Sequence, residues 1–208
     1  MSITLATGIA LMLSTLIYHG GLTYLFVRAQ FLEVLRLPRD KQLLIIARHP
    51  QEYRRGCRFV LVGWVVAALG YVMLASLLRE AGDPMISTLA ALLFLLAIGA
   101  ANVFWALWVT PTLLAAEETA RTTIMPAYYP TLQLAAEASL GVYQVLGLLA
   151  TAGFGWALLQ TGLLPSWVGW LTLAWGVVWA GVHVRSQETI PLLPMVMQLV
   201  MGIALLLT

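Results

Sequence analysis

Apolar residues along this chain fall in long unbroken runs, without the alternation of a half-buried strand or the one-sided stripe of a soluble helix. Six runs stand out, at about 4–26, 59–78, 87–108, 134–160, 167–184 and 192–207. Each approaches the ~20 residues that carry a helix across ~30 Å of hydrocarbon at ~1.5 Å per residue. Lipid cannot hydrogen-bond an exposed backbone, so such runs must be helical, and they lack the dyad pattern of a membrane barrel. The predicted fold is all-α: a polytopic transmembrane helix bundle of about six spans, one domain over residues 1–208. Pro194 falls in the first turn of the sixth and shortest run.

Polar breaks separate the runs. Arg79-Glu-Ala-Gly-Asp-Pro84 divides the second from the third, and Thr161-Gly162 with Pro165 divides the fourth from the fifth. The longest break, 27–58, is basic and is more than a linker. Its first part, to Leu37, reads as a helical continuation of the first span, ended by Pro38. Asp40 is then placed to cap a second helix through Arg48, with Leu43, Leu44, Ile45 and Ile46 as an apolar strip before His49-Pro50 stops it.

Composition agrees with lipid as the solvent for much of the exterior. The chain is 61% hydrophobic and 10% charged, where soluble domains carry about a quarter charged residues. Its net charge of +2 does not indicate a nucleic-acid partner, because the cations gather in one stretch beside the spans. Eight of the eleven Lys and Arg residues lie between the first two runs, namely Arg28, Arg36, Arg39, Lys41, Arg48, Arg54, Arg55 and Arg58. With alternating loops, Arg121 and Arg185 join them and only Arg79 lies opposite. The positive-inside rule then puts both termini outside and the basic segment in the cytoplasm. The bilayer is the expected partner: Arg36, Arg39, Lys41, Arg48, Arg54, Arg55 and Arg58 are placed to reach anionic headgroups, or to dock another subunit. Cys57 is the only cysteine, which excludes an intrachain disulfide. No basic n-region precedes the first run, so it reads as a span and not a cleaved leader.

Polar residues inside spans are costly and point to the bundle interior or to function. Glu137, Gln144 and Thr151 recur every seven residues in the fourth run and share a face, beside a small-residue ladder at Gly147, Thr151 and Gly155. Thr15, His19 and Thr23 form a similar line in the first run, and Asn102 lies within the third. Together with His183, the residues His19, Asn102, Glu137, Gln144 and Thr151 are the candidate ligand-binding set. Trp64, Trp108, Trp156 and Trp167 lie near span ends and read as interfacial anchors, while Trp105, Trp170, Trp175 and Trp179 fall within spans. Glu117, Glu118 and Arg121 sit at spacings for helical ion pairs, before a rigid aromatic turn at Pro126-Ala-Tyr-Tyr-Pro130. These groups, with Arg185 and Glu188, map to the inner side, where a polar site would open.

The stretch Leu163-Leu-Pro-Ser-Trp-Val-Gly-Trp-Leu171 resembles a segment of bacterial six- or seven-span membrane proteins of unknown function in which a Leu-Pro-x-Trp-x-Gly-Trp motif opens a late span. The resemblance covers about the last third of the chain and implies a bacterial inner-membrane protein; it implies no activity and assigns no site residue.

The sequence holds no phosphate-cradling glycine loop, no Ser/His/Asp set, no lysine within a span to carry retinal, and no arginine-rich voltage-sensing helix. No catalytic residue and no metal site is expected, and the leading expectation is a non-enzymatic inner-membrane protein. It would serve as an accessory or scaffold subunit among other membrane subunits, or bind an apolar ligand. A small transporter with an inward-opening polar cavity built on Glu137, Gln144, Asn102 and His19 is the first alternative. A redox subunit holding haem between His19 and His183 is the second, and haem is the one cofactor that the residues bring into question.

Overall fold

The computed structural model describes residues 2–34, 37–186 and 193–208 and is helical throughout. Among the described residues the helices are α1 (Ile3–Arg28), α2 (Phe31–Val34), α3 (Arg39–Arg48), α4 (Pro50–Glu80), α5 (Ile86–Thr122), α6 (Tyr129–Thr161), α7 (Ser166–Ser186) and α8 (Leu193–Leu206). Five of these, α1, α4, α5, α6 and α7, are long and apolar enough to cross a membrane, and they fit an integral membrane protein. α8 is apolar but has 14 residues, about 21 Å of rise, short of the ~30 Å hydrocarbon core.

Two helices run far past their apolar runs. α4 has 31 residues and α5 has 37, about 46 and 55 Å of rise, so parts of both must extend beyond the hydrocarbon. The extension of α4 is Pro50–Arg58, the last part of the predicted basic segment, and that of α5 carries Glu117, Glu118 and Arg121. Pro50 opens α4, where a missing N–H costs nothing. The expected continuation of α1 to Leu37 does not form. Gln30 takes a left-handed conformation (φ 53°) that ends the helix, and only the single turn α2 follows. Nor does Asp40 cap α3: Pro38 holds the cap position without a side-chain bond, and Asp40 lies in the first turn, where the helix dipole favours its charge.

Connections are closed by local chemistry. After α4, Gly82 adopts φ 112°, and its N–H and that of Asp83 bond back to the Arg79 and Leu78 carbonyls, satisfying the helix end. The Asp83 carboxylate then accepts the N–H groups of Ile86 and Ser87, each at 3.1 Å, and so starts α5. α6 ends likewise on Gly162, in the left-handed region at φ 63°.

The chain divides into two compact units. The first comprises Met1–Leu16, Gly63–Ala101 and Leu140–Thr208. Its core includes Trp64 on Tyr143, with ring centroids 4.3 Å apart, and Tyr71 between Phe94 and Phe154. Trp64 is fully buried and is therefore a packing residue, not the interfacial anchor its position near a span end suggested; the α4 extension moves that end away from it. Exposed Trp156 and Trp167 keep surfaces suited to an interface. Glycines set the closest approaches. A Cβ on Gly155 would strike the Leu173 backbone and lie 2.9 Å from the Gly169 carbonyl oxygen, and one on Gly202 would lie 3.1 Å from that of Gly8. Small residues let helices meet backbone to backbone in this way.

The second unit comprises Ile17–Val62 and Asn102–Ser139. Here α1 and α4 approach through Gly21 and Gly56, where a Cβ on Gly21 would lie 3.1 Å from the Gly56 carbonyl oxygen. α4 meets α5 through Tyr53 edge-on to Trp108, centroids 5.9 Å apart. α3 buries Leu43, Ile45 and Ile46 and leaves Lys41, Leu44 and Arg48 exposed, so of the apolar strip expected at 43–46 Leu44 turns to the surface.

Candidate functional site

Helices α3, α4 and α5 of the second unit bound a cleft of about 830 Å³, within the ~300–1,000 Å³ range of small-molecule sites. Its chemistry is divided. Arg54 and Arg58, one turn apart on α4, and Glu117 and Arg121, one turn apart on α5, supply charge. Leu61, Trp105, Ala106, Val109 and Leu113 supply an apolar wall, and Asn102 and Thr110 add neutral polar groups. The charged residues sit on the helix extensions and are exposed. Trp105 is 5% exposed, and its indole N–H has no acceptor among the described residues, a condition that costs a buried donor roughly 1–3 kcal/mol.

Pro111 lies inside α5 beside this wall. A proline there removes one helical hydrogen bond and clashes with the preceding turn. Thr112 follows it and enters a buried network: its Oγ1 stands 3.3 Å from the Tyr129 hydroxyl, and Gln133 Nε2 donates to Tyr129 at 2.7 Å and to Thr112 at 3.3 Å. This network ties α5 to the start of α6. Sequence reading missed Thr112 and Gln133, although a glutamine one turn beyond a tyrosine, facing a threonine beside a helix proline, is a recognisable signal. Tyr128, outside the helices, has its hydroxyl raised above the ordinary phenol value by partial desolvation and by the nearby Glu118 carboxylate, so it stays neutral at pH 7.

The expected site residues disperse. Asn102 lines the cleft. Glu137 is exposed and accepts a hydrogen bond from Arg39 Nη2 at 3.2 Å, an ion pair joining α6 to α3. Two groups predicted for separate tasks, a ligand site and a headgroup contact, thus hold one another. Gln144 and Thr151 belong to the first unit and are fully buried. Thr151 donates to the Gly147 carbonyl at 2.8 Å, and the Gln144 amide has no partner among the described residues. The predicted stripe therefore splits, with Glu137 on an exposed end and the other two in a core. A seven-residue repeat drifts ~20° per heptad on a straight helix, which weakens such an alignment. His19, in the second unit, is half-buried with its ring edge-on to Tyr18 at 5.6 Å; His183, in the first unit, lies in the last turn of α7.

Of the predicted headgroup cations, Arg54 and Arg58 line the cleft, while Lys41, Arg48 and Arg55 are exposed. Arg36 and Glu188 lie outside the described residues. Among the described residues no three His, Cys, Asp or Glu side chains cluster as a metal site requires. No family model, curated protein or solved structure matches this chain, and the cleft is read from its own chemistry.

Proposed function

We propose that this chain is a non-enzymatic integral membrane protein of the bacterial inner membrane that holds an amphipathic ligand in the cleft between α4 and α5. The observation that supports this reading is the presence, along one cavity of about 830 Å³, of both apolar and charged side chains. A purely apolar guest would offer nothing to Arg54, Arg58 and Arg121, which outnumber the one carboxylate of the lining, Glu117. A purely polar guest would leave Leu61, Trp105, Val109 and Leu113 uncovered. An amphipathic molecule satisfies both.

Native mass spectrometry of the full chain, purified in mild detergent, tests the reading. The wild type is expected to retain an amphipathic adduct. Ala106→Trp, which fills the wall of the cleft, should lose that adduct while preserving helicity and a monodisperse elution profile. A wild type that emerges without any adduct, and takes up no amphiphile when one is supplied, overturns it.

A further inference from the structure

We infer that the groove between α1 and α4 holds the headgroup of an aminophospholipid, its phosphate between Arg28 and Arg55 and its ammonium against Glu52. The three residues belong to the second unit and none of them lines the cleft between α4 and α5, so this site stands apart from the reading of that cleft.

Register carries the first step. A Cβ on Gly21 would touch Phe59 and Val60, and one on Gly56 would touch Leu25, so α1 and α4 run antiparallel. Tyr24 meets Phe59 edge-on, with ring centroids 6.3 Å apart. Arg28 lies four residues after Tyr24 on α1, and Arg55 lies four residues before Phe59 on α4. Positions four apart share a helix face, so the two arginines flank the ring pair on its outer side, one from each helix, at depths within about one turn of each other. Both are exposed, and neither joins an ion pair among the described residues. Guanidinium donates in a planar fork that matches phosphate oxygens, and it gives up water readily.

Depth and charge carry the second step. Phe59 opens the second apolar run and Tyr24 lies close to the end of the first, so the ring pair marks the edge of the hydrocarbon and the arginines stand at headgroup level. Phe59 and Val62 are about half exposed, an apolar surface below the arginines for an acyl chain. Glu52 then decides the class of headgroup. It lies three residues before Arg55, one turn further out on the same side of α4, and it joins no ion pair among the described residues. A choline group would turn only methyls toward this carboxylate, and a glycerol headgroup would bring it no cation. A primary ammonium brings both positive charge and three N–H donors. An aminophospholipid thus sets an opposite charge against each of the three residues.

The test uses the full chain in neutral-detergent micelles, with bound lipid counted by native mass spectrometry. Short-chain phosphatidylethanolamine, phosphatidylcholine and phosphatidylglycerol are the probes. Because Arg28, Glu52 and Arg55 do not line the cleft, the effect of replacing them reports this groove. The wild type is expected to bind phosphatidylethanolamine about tenfold more tightly than phosphatidylcholine, the worth of one hydrogen bond to a charged group. Glu52→Gln should remove that preference and leave phosphatidylcholine binding unchanged. R28Q/R55Q should weaken both lipids by about tenfold, since both carry the phosphate. Should the double variant not fold, the wild-type ratio and Glu52→Gln still decide. Equal binding of the two lipids by the wild type overturns the inference, and so does a preference that survives Glu52→Gln. Tighter binding of phosphatidylglycerol than of phosphatidylethanolamine also overturns it, in favour of an anionic lipid. Lipid counts that a folded R28Q/R55Q leaves unchanged would remove the phosphate from this groove.

Discussion

Gln144 shows how much a single buried side chain can reveal. Its amide is fully buried in the first unit and makes no hydrogen bond among the described residues. An unsatisfied buried polar group costs roughly 1–3 kcal/mol, whereas an apolar group of similar shape costs nothing of that kind. Gln144→Met is therefore expected to stabilise the protein by about 1 kcal/mol, read from thermal unfolding of the purified protein in detergent. A loss of stability would show that the amide has a partner in the membrane. Glu137 is the opposite case. Its pair with Arg39 is half exposed on both sides, and such pairs are worth at most about 1 kcal/mol in water. Glu137→Gln should move the unfolding midpoint little, and a loss of several degrees would mean that the pair does more than join α3 to α6.

Helix ends and helix contacts differ in how far they could be read in advance. The breaks at 79–84 and 161–165 and the stop at His49-Pro50 were legible, since glycine, proline and aspartate act on their own neighbours. Asp83 illustrates this: it accepts two backbone N–H groups at the start of α5, and Asp83→Ala should cost about 1 kcal/mol of stability, measured by the same unfolding assay. The end of α1 was not legible, because nothing in the residue type of Gln30 demands the left-handed conformation it adopts. Glycine contacts occupy a middle position. The ladder through Gly155 was visible as a pattern, but its partner, the Gly169 turn of α7, emerged only from packing. Gly155→Leu should separate these helices and either prevent folding or lower the unfolding midpoint by more than any surface change above, because a side chain there must displace backbone.

Orientation in the membrane belongs to the whole molecule, and the positive-inside rule predicts it from the Lys and Arg residues gathered at 28–58. In a Cys57→Ser background, a cysteine at Ser2 is expected to react with a membrane-impermeant maleimide in intact cells. One at Thr123, just past α5, should react only after permeabilisation; the reverse pattern would invert the assigned topology. The all-helical class, the apolar runs and the basic stretch were all present in the order of the residues, because hydropathy, helical rise and loop charge are local quantities that need no knowledge of neighbours in space. The cleft was not. Arg54, Arg58, Asn102, Trp105, Glu117 and Arg121 each drew notice separately, yet their grouping depends on α4 and α5 extending past their apolar runs and packing side by side through contacts such as Tyr53 with Trp108. Packing against α6 paired Arg39 with Glu137 and buried Trp64 on Tyr143, against expectation in both cases. Such outcomes are set by which helix faces meet, a long-range choice that side-chain volume and glycine spacing make together and that no short stretch of sequence contains.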